Sequence, residues 1–246
     1  MGRFVGYLVA LVTAIANWYV FKWYASLFPH SYSDEFIATV FIVSLVVHEL
    51  FHLVAMEING IKAMMFFAVI LGGAMPLSSD IEKMSGLPWD RRASIFLAGV
   101  AGNMVVAFGA WVVYLLGGIS FDQMISVFKF SGVFILFNLI PFGRFDGGQF
   151  VKLLFSSSPE EQNGVYVLAL MAGVLVLWST LSFVSGNMIF LTVFLGGMPY
   201  QAHSHKYTTA VNFSSIDPRR LLWIGVYLIL TMAGAMTFGF SVNLPY

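Results

Sequence analysis

Seven apolar runs decide what this chain can become: residues 4–28, 36–56, 94–116, 125–154, 164–184, 187–200 and 221–240. Most approach or exceed the roughly 20 residues, at about 1.5 Å each, that cross a bilayer core. The run 187–200 is short and would tilt, sit partly outside the membrane, or fuse with its predecessor. Charged residues make up 10% of the 246 and hydrophobic ones 59%, whereas about 25% charge is usual in a soluble domain. The expectation is an all-α polytopic membrane protein with six to seven transmembrane helices, its lipid partner the bilayer itself. A net charge of zero excludes an ordinary nucleic-acid binder. The absence of cysteine excludes disulfides, thiolate zinc sites and a cysteine nucleophile. Residues 1–28 are too long, and too rich in Trp and Tyr at their end, for a cleaved leader. They read as the first span, with Trp18, Lys22, Trp23 and Tyr24 as its interfacial anchor.

Between the second and third spans lies "MMFFAVILGGAMPLSS", residues 64–79. It is apolar yet interrupted by Gly72, Gly73 and Pro76. Two apolar arms about a Gly72-Gly73 turn predict a β-hairpin dipping into the membrane. Backbone of that kind is tolerated at membrane depth only where protein or a wet cavity satisfies its polar groups. The most soluble-looking linkers are 156–164 and 201–220. No internal repeat and no room for a substantial extramembrane domain is apparent, so residues 1–246 read as a single transmembrane domain. With the N-terminus in the cytoplasm and alternating spans, only Lys22 and Lys129 of the 12 Lys and Arg lean outward, as the positive-inside rule requires.

The polar content of these runs is concentrated. His48-Glu49-Leu50-Phe51-His52 fits H-E-x-x-H. Residues four apart share a helix face, so His48 and His52 can present imidazole nitrogens to one metal ion. Glu49, one step around, can hold water without being a ligand. Two ligands and a general base are what zinc hydrolysis needs from such a helix. Ionisable groups inside a span are functional by default; a hydrogen-bonded cluster between helices is the bland alternative.

A catalytic zinc site takes three protein ligands. The candidate third lies in "FNLIPFGRFDGGQF", residues 137–150, where Asp146 is the sole acidic residue between Asp122 and Glu160. His48 and His52 lie roughly 6–12 Å from the end of the second span, and Asp146 roughly 12 Å before the end of the fourth. Both spans run in the same direction, so the depths coincide towards the cytoplasmic side. Alternatively, Asp146 caps a broken helix, which Gly147 and Gly148 would suit.

H-E-x-x-H in a second span, together with N-x-x-P-x-x-x-x-D-G at Asn138, Pro141, Asp146 and Gly147, resembles the site-2 protease family of intramembrane zinc metalloproteases. The Gly-containing hairpin and "AGVAGN" at residues 98–103 extend the similarity over roughly 36–154. The resemblance implies one zinc ion held by His48, His52 and Asp146, Glu49 as catalytic base, and Asn138 holding the substrate backbone or oxyanion. It implies a transmembrane-helix protein as substrate, unwound locally before attack. The hairpin, with Gly72 and Gly73, offers an edge strand for the extended segment. Many relatives carry a second proline before the aspartate, where this chain has Gly143-Arg144-Phe145. No PDZ or CBS domain fits, and the final run is an addition to the six-span form, so residues 164–240 form additional C-terminal helices beyond a catalytic core at about 36–154. The small form favours a prokaryotic cell membrane. A competing expectation is a metal transporter or channel using the same His/Asp cluster. His203 and His205, in a linker, read as solvated, and Asn103 as a bond to a neighbouring helix, with contact to the site as the lesser alternative.

Overall fold

The computed structural model describes residues 2–27, 32–68, 71–140, 145–156 and 218–242. Its elements in chain order are α1 (Gly2–Ala25), α2 (Asp34–Ile58), β1 (Ala63–Ala68), β2 (Leu71–Pro76), a 3-10 turn (Ser78–Asp80), α3 (Ile81–Ser85), α4 (Trp89–Leu115), α5 (Phe121–Asn138), α6 (Asp146–Ser156) and α7 (Pro218–Val242). Among the described residues, four stretches are long and apolar enough to cross a membrane: Gly6–Ala25, Asp34–Ile58, Trp89–Leu115 and Pro218–Thr237. Large apolar side chains such as Leu11, Val12, Phe108, Leu222 and Ile229 stand exposed along them, as a lipid-facing surface requires. The expected runs 164–184 and 187–200 lie outside the described residues, as do His203 and His205.

Local chemistry sets the ends of α2. The Ser33 hydroxyl accepts the Phe36 N–H at 3.2 Å, and Asp34 and Glu35 occupy the first turn, where the helix dipole favours negative charge. At the other end Gly60 adopts a φ of 72°, a left-handed conformation open to glycine without strain. Its N–H reaches Glu57 O at 2.9 Å, and Ile61 N–H reaches Met56 O at 2.9 Å. The chain thus turns straight from α2 into the hairpin. Lys83 Nζ then donates to Gly60 O at 2.5 Å, and Lys62 N–H to Asp80 Oδ2 at 2.7 Å, fastening the base of the hairpin to the segment that follows it.

Two expectations are corrected here. The strands pair antiparallel with Phe67 opposite Gly72 and Phe66 opposite Gly73, so both glycines lie within β2 and the reversal falls between Ala68 and Leu71. The glycines serve close approach instead of turning: a methyl group on Gly73 would stand 2.6 Å from the Phe66 ring, and one on Gly72 would stand 2.8 Å from Glu49. Secondly, the run 125–154 is not one span. It divides into α5, which is not among the four candidate spans, and the 11-residue α6. Pro141 has no N–H to give a continuing helix and disfavours helical backbone in the residue before it, and α5 ends at Asn138.

The helices pack through small residues, as expected where lipid offers no hydrophobic drive between them. A methyl on Gly102 of α4 would stand 3.0 Å from the Phe51 ring and Val47 O of α2. One core unites α4, α5, α6 and α7 through Leu97, Ile135, Phe150 and Tyr227. Another joins α1, α2 and β1 through Ala10, Leu45 and Phe67. The hairpin is therefore held between α1 and α2, with β2 towards the middle of the bundle.

Candidate metal centre

His48, Glu49 and His52 are buried in the second half of α2, at 3%, 5% and 7% exposure. Asp146, the first residue of α6, comes to meet them. Its Oδ2 lies 3.2 Å from His48 Nε2 and 3.1 Å from His52 Nε2, and the two Nε2 atoms are 3.2 Å apart. Residues 94 positions apart in sequence thus meet at one point, although the depth argument from sequence assumed an unbroken span over 125–154 that the structure does not have.

The outer nitrogens explain how the rings are held. His48 Nδ1 lies 2.7 Å from Asn103 Oδ1, and His52 Nδ1 lies 2.7 Å from Ile95 O. Asn103 is wholly buried, and its Nδ2 donates to Ser44 O at 2.9 Å, which turns its oxygen towards His48. Both Nδ1 atoms therefore face acceptors and carry the ring proton, leaving both Nε2 atoms with lone pairs. Three electron-rich atoms then converge with no donor between them. Such a set calls for a cation.

The spacing also suits one. A tetrahedral ion with bonds of about 2.0–2.1 Å holds its ligand atoms about 3.3 Å apart, close to the three separations here. Gly99 of α4 provides the room: any methyl group there would overlap His48 Nε2 and His52 Nε2. The donor set of two imidazoles and one carboxylate fits zinc. Among the described residues this is the one cluster of three metal-ligating side chains found within reach of a single ion.

Glu49 stands beside the cluster, beneath β2. Its carboxylate accepts the Ala74 N–H and presses against Gly72. Leu77 N–H donates to Lys62 O at 2.8 Å. Counting back in twos along the antiparallel ladder, Gly72 and Ala74 turn their backbone groups away from β1. That free edge lines a cavity of about 610 Å3 shared with His48, Glu49, His52, Asn138 and Asp146. The opposite wall is aromatic, formed by Phe21, Phe41, Phe130, Phe134, Phe137 and Phe145. Asn138 lines this cavity, but one amide N–H is turned back to Phe134 O at 3.0 Å.

With this geometry in place, similarity to known proteins can be weighed. Residues 36–131 match the model of peptidase family M50, the site-2 protease family. The match bears out the resemblance carried by the sequence motifs. It spans His48, Glu49, His52, Gly72, Gly99 and Asn103, and stops before Asn138 and Asp146, so it lends Asp146 no support of its own. No curated protein and no solved structure matches the chain. A metalloprotease and an integral membrane protein are what an M50 match and four apolar helices together imply.

Sequence reasoning singled out the trio and Asp146 but not the full set of groups that hold them. The Ile95 carbonyl leaves no mark in a sequence, because any residue carries one. Asn103 was expected to bond a neighbouring helix; it does so through Ser44 O, and its other end holds His48. Gly99 lies in the quoted "AGVAGN", four positions before Asn103, and this i, i+4 pair facing the trio was the available signal.

Proposed function

We propose that this chain is an intramembrane zinc endopeptidase that hydrolyses peptide bonds within or near transmembrane segments of membrane-protein substrates. The observation that carries the reading is the convergence of His48 Nε2, His52 Nε2 and Asp146 Oδ2 beside Glu49, at the edge of a cavity of about 610 Å3. His48, His52 and Asp146 are the zinc ligands. Zinc held there supplies Lewis acidity, which makes water acidic near neutral pH and polarises a carbonyl. Glu49 takes the proton released as water adds to the scissile carbonyl. It returns that proton to the amine as the C–N bond breaks.

A substrate helix must open before its carbonyls can be attacked, since each is occupied within the helix. The outer edge of β2, where the backbone groups of Gly72 and the Ala74 carbonyl point away from β1, supports a role in pairing with the opened segment. Gly73, opposite Phe66, keeps the strand close to β1. Asn138 uses one of its two amide protons on its own helix and retains the other for the substrate backbone. The catalytic core is about residues 36–154, and the cation distribution supports an opening towards the cytoplasm.

The test is cleavage of a transmembrane reporter in proteoliposomes, with zinc content measured in parallel for wild type and Asp146→Ala. The proposal expects zinc and cleavage in the wild type and neither in the variant. Zinc-loaded wild type that moves zinc across the bilayer and cleaves nothing would instead make the cluster a transport site.

A further inference from the structure

The hydrogen-bonded histidines owe their places to α4, which also packs against α6 through Leu97 and Val100, but among the described residues no hydrogen bond from α4 reaches Asp146. Its position is set where α5 stops and α6 starts. There the two helix ends meet backbone to backbone: a methyl on Gly147, next to Asp146, would stand 2.5 Å from the Leu139 carbonyl carbon and 2.8 Å from Leu139 Cα. Leu139 closes α5, its N–H bonded to Ile135 O at 3.0 Å, and its own carbonyl needs a donor from elsewhere.

That donor comes from α7. The hydroxyl of Tyr227 donates to Leu139 O, and Tyr227 is the largest fully buried side chain among the described residues. Its ring stacks on Phe150, with centroids 5.4 Å apart and planes within 8°. Phe150 lies four residues after Asp146, one turn along α6. One tyrosine thus grips the chain on both sides of the break, at Leu139 before it and Phe150 after it. The register of α7 is tight: Gly234 lets it approach α5 so closely that a methyl there would stand 3.0 Å from Ile135 Cβ.

We propose that Tyr227 is a positioning residue for the metal centre. Through the Leu139 carbonyl and the Phe150 ring it sets where Asp146 stands against His48 and His52. This gives α7, which lies outside the family match, a part in the chemistry of the site. The inference rests on the reading of His48, His52 and Asp146 as metal ligands.

Tyr227→Phe in the detergent-solubilised full chain keeps the ring and removes only the hydroxyl. Zinc affinity, measured with the ion alone, is expected to fall about tenfold, the low end for groups that orient a ligand. The visible spectrum of the cobalt-substituted protein, which reports ligand geometry, is expected to change with it. Thr231→Val is the control. It removes a buried hydroxyl one turn away that bonds Tyr227 O at 2.8 Å, and is expected to leave affinity and spectrum as in wild type. Wild-type affinity and spectrum in Tyr227→Phe would overturn the proposal, as would an equal loss in Thr231→Val. Should Tyr227→Phe fail to fold, Phe150→Leu removes the stack from the other side and is expected to weaken zinc similarly; unchanged affinity there overturns it. Wild type that binds neither ion overturns the metal-site reading and the clamp together, whereas binding wild type with an unaffected Tyr227→Phe overturns the clamp alone.

Discussion

The two halves of the metal centre are built in opposite ways. On α2, His48 and His52 are neighbours by helical geometry, one turn apart, and each ring is pinned from behind by α4, through Asn103 and through the Ile95 carbonyl. That half exists as soon as two adjacent helices pack. Asp146 belongs to no such unit. It stands at the start of a short helix after a break, and reaches the histidines only when α4, α5, α6 and α7 have assembled around one core. The comparison teaches that the first half is local and preformed, while the second depends on the whole bundle.

Gly99→Ala breaks the preformed half most severely. The added methyl takes the space between the imidazoles and the ion, so zinc binding is expected to fall by more than the roughly 10–100-fold typical of outer-shell changes; zinc titration of the purified variant checks this. Gly72→Ala separates binding from chemistry. Its methyl would push against Glu49 while leaving the ligands alone, so cleavage is expected to fall by on the order of a hundredfold, the contribution of a displaced base. Zinc content should stay at the wild-type level, and joint loss of both would show that Glu49 and the ligands are not independent.

Asn103→Ala sharpens the comparison further. It leaves His48 Nδ1 without its partner in a buried setting, and zinc affinity is expected to drop about tenfold or more. Because the histidine half is preformed by α4, this loss should exceed that from removing the more distant Tyr227 hydroxyl. Equal losses would erase the distinction drawn between the halves.

How much of this could be read from the chain follows the same division. The H-E-x-x-H pattern is legible because its geometry is contained in five residues of one helix. The hairpin was legible from Gly72, Gly73 and Pro76 in an apolar stretch, but its turn was not. Glycine permits reversal and close approach alike, and only the positions of Glu49 and Phe66 show that it serves approach here. The break before Asp146 was legible only as an alternative: the apolar residues on either side read as one span, although Pro141 marks the interruption and Asp146 could be read as capping a broken helix. Tyr227 carried no signal, since its partner is a backbone carbonyl 88 residues away.

The smallest effect concerns the base of the hairpin. The Lys62 N–H donated to Asp80 holds that carboxyl below its usual range. Asp80 therefore adds stability that is present above the ordinary aspartate pKa and is lost as pH falls through the lowered one. Unfolding temperatures of wild type and Asp80→Ala should differ slightly and constantly near neutral pH, and converge in acid. A difference that widens in acid would contradict this sign.

The most direct test of the central claim, that the buried trio performs hydrolysis, is Glu49→Gln. Purified wild type and variant are compared for bound zinc and for cleavage of a transmembrane reporter in proteoliposomes. The account predicts one zinc per chain in both and cleavage only in the wild type. Undiminished cleavage by the zinc-loaded variant would contradict it.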